Sequence, residues 1–78
     1  MLVEIQTLGD SFEDAMERVY EAASVHGSMT EEQFDEVCCA DDFGSHIEIT
    51  CDGGEDAEAV LHAMLGDLDM SYNVSILA

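Results

Sequence analysis

Nineteen Asp and Glu side chains stand against a single cationic one, Arg18, along 78 residues, for a formal net charge of −18. Ionised carboxylates stay in water unless they are paired, and here almost nothing is available to pair them. Any fold must therefore seat its core on stripes that the acids leave free, at every third or fourth position of a helix or every second position of a strand. The material is present, since 47% of the residues are apolar. High charge combined with low hydrophobicity would signal disorder; here the second half of that signature is missing, and there is no Pro, repeat or low-complexity tract. We expect one folded domain spanning residues 1–78, with the thin core of a short chain.

The free stripes are legible. Residues 2–8 alternate, with Val3 and Ile5 on one face and Glu4 and Gln6 on the other, which predicts a strand ended by Gly9. Asp10 or Ser11 caps a helix carrying Glu13 and Asp14 in its first turn. Phe12, Ala15, Met16, Val19, Tyr20 and Ala23 fall at helical spacing, so this helix should run to about His26 and stop at Gly27. Thr30-Glu31-Glu32-Gln33 matches a capping box, and Phe34, Val37 and Cys38 follow at i, i+3 and i+4. That spacing predicts a short helix over residues 31–40; a competing reading makes residues 35–40 a strand that turns at 41–44 into the next segment. Residues 46–51 alternate with Ile47, Ile49 and Cys51 inward. Ala57, Val60, Leu61, Met64, Leu65 and Leu68 stripe a helix over about 55–67. Residues 71–77 close as a strand with Tyr72, Val74 and Ile76 on one side. The sum is an α+β two-layer sandwich of about three strands and three helices, in the order β-α-α-β-α-β. The competing reading gives the ferredoxin-like order β-α-β-β-α-β. In either, the strands at 46–51 and 71–77 run parallel if one sheet holds both.

Charge excludes whole classes of function. A nucleic-acid-binding module needs a basic footprint, and an electrostatic membrane anchor needs a polybasic one. No apolar run approaches the length of a spanning helix, and residues 1–4 do not read as a signal peptide, so the chain reads as a soluble cytoplasmic domain. Catalytic signatures are absent: no Gly-x-Ser-x-Gly, no His-Glu-x-x-His, no Gly-rich phosphate loop with Lys. His26, His46 and His62 fall at a helix end, on a polar strand face and four residues after Glu58, where surface roles suffice. We expect no enzyme, no catalytic residue and no cofactor. Asp52-Gly53-Gly54-Glu55-Asp56 lacks the ligand spacing of a calcium loop and reads as a strand-to-helix turn, so no metal site is expected. Cys38, Cys39 and Cys51 complete no zinc spacing and read as small apolar side chains in a reducing compartment.

What remains is the placement of the acids. Glu13, Glu17 and Glu21 recur every four residues with Asp14 beside them, a solvent-facing column that costs a few tenths of a kcal/mol per like-charged pair. Glu31, Glu32, Asp35 and Glu36 repeat the pattern, and Asp41 and Asp42 extend it. Residues 10–42 hold 11 of the 19 acids. Rows of carboxylates offer Arg the same bidentate acceptors as a phosphate backbone. These ten residues are the candidate partner-binding surface.

In size, charge and such acidic helices as Glu13-Asp14-x-x-Glu17 and Thr30-Glu31-Glu32-Gln33, the chain resembles the small DNA-mimic inhibitors of phages and mobile elements, the anti-CRISPR and anti-restriction proteins. The resemblance is one of composition and charge placement, and those inhibitors share no motif. It implies a monomer or homodimer acting in the host cytoplasm. Its partner would be a basic nucleic-acid-binding protein or a CRISPR effector complex, bound with no direct contact to nucleic acid. An alternative is a small interaction domain from an extreme halophile, acidic over its whole surface; the enrichment at residues 10–42 speaks for the first reading. An acidic subunit that escorts a basic protein, as chaperone or antitoxin, is a third.

Overall fold

The computed structural model describes residues 1–78. Seven elements follow in the order β1 (Leu2–Gln6), α1 (Phe12–Gly27), α2 (Glu31–Val37), β2 (Cys38–Asp42), β3 (His46–Cys51), α3 (Gly54–Leu68) and β4 (Asn73–Ile76). The fold class is the α+β class expected, with one more strand. Both readings of the 31–40 segment are realised in part. The Thr30 capping box starts a helix, and the chain leaves it after Val37 because Cys38 is already paired with Cys51 of β3. Without α2, the order is that of the β-α-β-β-α-β alternative.

One four-stranded sheet runs β2-β3-β1-β4, with every neighbouring pair antiparallel. Since β3 and β4 are both antiparallel to β1, they are parallel to each other, as the α3 crossover requires. Val3 and Ile5 face Ile49 and Ile47 in register, and all four are buried. On this face lie Ala15, Met16, Val19, Ala22 and Ala23 of α1, Leu61, Met64, Leu65 and Leu68 of α3, and Phe34 of α2. The opposite face of the sheet carries no helix. Alternation turns Glu4, Gln6, His46, Glu48, Thr50, Cys39 and Asp41 toward it.

Two expectations are corrected. Gly27 does not stop α1; it is the last helical residue, and Ser28 takes the left-handed turn at φ 53°, its N–H donating to the carbonyls of Ala23 and Ser24. A glycine is needed at 27 because a Cβ there would lie 2.4 Å from Cγ1 of Val60, so α1 and α3 approach through it. The last strand is shorter than 71–77, and its side-chain row opens outward: Tyr72 is buried, Val74 half-buried and Ile76 exposed, because β4 is a sheet edge. No helix is long and apolar enough to cross a membrane.

Candidate interaction surface

Ser11 caps α1 by accepting from the Asp14 N–H at 3.2 Å. That start fixes the helix phase: Ala15, Met16, Val19, Ala22 and Ala23 go inward, and Glu13, Asp14, Glu17 and Glu21 are all exposed. The column expected from the i, i+4 spacing is therefore present, each step rising about 6 Å along the axis. In α2 the capping box closes both ways, Gln33 N–H to Thr30 Oγ1 at 3.2 Å and Thr30 N–H to Gln33 Oε1 at 3.0 Å. Phe34 is buried, which leaves Glu31, Glu32, Asp35 and Glu36 exposed.

Tyr20 joins the two acidic helices. Its ring meets Phe34 edge-on at 5.5 Å, and its hydroxyl donates to Asp35 Oδ1 at 2.8 Å. Burial first, then the bond to Asp35 and the charges of Asp35 and Glu31, push the Tyr20 phenol up to about 12. With α2 held there, Glu17, Tyr20 and Glu21 of α1 share a groove with Met29, Thr30 and Glu31. On the other side of the same column, Asp10, Asp14, Glu17, Arg18 and Glu21 line a second recess. Glu17 and Glu21 border both, so Asp10, Asp14, Glu17, Glu21 and Glu31 form one continuous acidic strip.

The single basic side chain does little to neutralise it. Arg18 Nε lies 3.9 Å from Asp10 Oδ2, and the guanidinium sits 5.9 Å from the centre of the Tyr72 ring. Asp10 also accepts from the Tyr72 hydroxyl. Burial, then that bond and the charge of Asp10, raise the Tyr72 phenol to about 12. Arg18 thus lies within the recess and answers one of its carboxylates, Asp10; an exposed pair at such a distance contributes at most about 1 kcal/mol, and Asp14, Glu17, Glu21 and Glu31 make no ion pair.

Asp41 and Asp42 do not extend the strip. They belong to β2, where Asp42 Oδ1 accepts from the Gly44 N–H at 2.8 Å and shapes the turn into β3. Asp41 lies opposite Glu48, and Glu48 lies opposite Glu4, so three carboxylates cross the uncovered face of the sheet in one row. His46 sits among them, its Nε2 at 3.2 Å from Glu48 Oε2 and 3.6 Å from Glu4 Oε1, with Phe43 stacked on its ring at 4.9 Å. Sequence reasoning missed Glu4 and Glu48 as a group. Their separate alternations were visible, but strand register was needed to bring them together. His26 Nε2 meets Asp67 Oδ2 at 3.1 Å and ties the end of α1 to α3. His62 makes no ion pair with Glu58; the carboxylate of Glu58 lies near the N-terminal ammonium. No trio of His, Cys, Asp or Glu is arranged to hold a metal ion. Asp52 to Asp56 form the strand-to-helix turn expected of them, with Gly54 at φ 80° and Glu55 and Asp56 in the first turn of α3.

The chain matches no protein-family model, no curated protein and no solved structure.

Proposed function

We propose that this chain is a non-enzymatic inhibitor that occupies the cationic groove of a nucleic-acid-binding protein. In this reading it is a phage or mobile-element DNA mimic of the anti-CRISPR kind, blocking access of DNA to a defence complex in the host cytoplasm. One observation carries the reading: the strip of Asp10, Asp14, Glu17, Glu21 and Glu31 across α1 and α2, held by Tyr20 and left almost without counter-charge. A surface serving stability alone interleaves Lys with its acids, and this one has no Lys. Helices supply a rigid row of acceptors for Arg forks, and opposite fields speed encounter and make the complex salt-sensitive.

A second reading has an observation of its own. Acids also lie on the far side of the molecule, in the Glu4–Glu48–Asp41 row, at Glu55, Asp56 and Asp67 along α3, and at Asp69 just past its end. Such coverage suits a halophile domain whose acidity serves its solvent. The test is capture from a bacterial host lysate at low salt, followed by a salt gradient and competition with duplex DNA. Mimicry predicts a DNA-binding complex released at moderate salt and displaced by DNA. Capture of no such complex, together with folding only at molar salt, would replace mimicry with the halophile reading.

A further inference from the structure

The hairpin of β2 and β3 sets Cys38 directly opposite Cys51. The Asp52 N–H bonds the Val37 carbonyl at 2.8 Å, while the Cys51 N–H turns away to the Met1 carbonyl beside β1, also at 2.8 Å. This pattern marks Cys38 and Cys51 as a non-hydrogen-bonded pair, the kind in which Cα atoms approach to about 4.5 Å and side chains stand closest. That separation lies inside the range a disulfide spans, at its short end. Both side chains leave the core-facing side of the sheet, Cys51 buried and Cys38 half-buried, while Cys39 is exposed and turned to the other face. Cys38 is also the residue that ends α2.

We propose that Cys38 and Cys51 are a reversible dithiol–disulfide pair, oxidised by exchange with a low-molecular-weight disulfide RSSR. The Cys38 thiolate, the more accessible of the two, attacks one sulfur of RSSR; an S–S bond to Cys38 forms and the first RS⁻ leaves. The Cys51 thiolate then attacks the Cys38 sulfur, closing the intramolecular bond and expelling the second RS⁻. Two protein thiols are oxidised by two electrons, RSSR is reduced to two RSH, and the two cysteine protons end on the released thiols. The bond would tie the end of acidic helix α2 to an interior strand of the sheet. Burial, then the hydrogen bond and charge of Cys51, push the Cys38 thiol up to about 12. Thiolate is therefore scarce near neutrality, and exchange is slow and accelerates with pH.

The experiment uses the full chain carrying Cys39→Ala, in which only one intramolecular disulfide is possible. Incubation with oxidised glutathione, acid quench and intact mass should show a monomer lighter by two hydrogens. Dithiothreitol should restore it, and the rate should rise about tenfold per pH unit below the thiol pKa. The unsubstituted chain should lose the same two hydrogens, and Cys51→Ala should keep a glutathione adduct without closing. A Cys39→Ala chain that stays reduced, stops at the glutathione adduct or links only to a second chain would overturn the proposal.

Discussion

Glu17 is the centre of the acidic column, with like charges one turn away on both sides, and its replacement by Lys should make the protein more stable. Glu13 and Glu21 lie at i−4 and i+4, and all three side chains are exposed. Each like-charged i, i+4 pair costs about 0.2–0.5 kcal/mol, and each opposite pair returns a similar amount. Glu17→Lys converts two repulsive pairs into attractive ones. Glu13 then precedes Lys in the favourable orientation, and Lys precedes Glu21 in the weaker one, so the net gain at low salt is about 1 kcal/mol. For a domain of this size that is about 4–8 °C in Tm. Circular-dichroism melts at low salt and at 1 M salt would measure it. At 1 M the screening length is about 3 Å, shorter than the spacing along the column, and the gain should shrink to a few tenths of a kcal/mol. A variant that melts lower at low salt, or whose gain survives undiminished at 1 M, would refute the claim that these carboxylates oppose the fold.

Other substitutions probe the frame that holds the strip. Gly27→Ala drives a Cβ against Val60 and should destabilise by about 1–2 kcal/mol in urea melts, overpacking outweighing helix propensity; adding Val60→Ala should recover most of the loss. Ser28→Gly relieves a left-handed residue at φ 53° and should stabilise by about 1 kcal/mol. Tyr20 and Tyr72 have folded-state pKa values raised from 10.0 to about 12, so the folded chain holds phenol protons that the unfolded chain releases first. Their contribution is therefore complete below about pH 10 and is lost as pH climbs toward 12. Alkaline melts with ultraviolet detection of tyrosinate should show that loss, and Tyr72→Phe should flatten it.

Local signals carried most of the framework. Alternation placed β1 and β3, because one face of each is buried and the other wet, and the four-residue spacing of Glu13, Glu17 and Glu21 gave the exposed side of α1 directly. The segment around Val37 and Cys38 was ambiguous because its short apolar run fits either period. Pairing of Cys38 with Cys51 decided it, a contact between residues far apart in the chain. Gly27 carried a signal read for the wrong reason: local preference pointed to a helix stop, while its cause is the approach of α3. The same limit hid the Tyr20–Asp35 tie and the Glu4–His46–Glu48 group, which depend on helix docking and strand register. Asp41 and Asp42 read as an extension of the acidic pattern of α2 and lie instead in an edge strand, where charge also guards against pairing with other chains.

The proposed role of the α1–α2 strip is to take the place of nucleic acid on a basic protein. Its most direct test measures displacement of labelled duplex DNA from the DNA-binding complex captured out of lysate, by the unsubstituted chain and by Glu13→Lys/Glu17→Lys/Glu21→Lys. We expect stoichiometric displacement by the first, steep weakening with salt, and loss of displacement by the folded triple variant. Displacement retained by that variant, or DNA and the chain bound together on one complex, would contradict it.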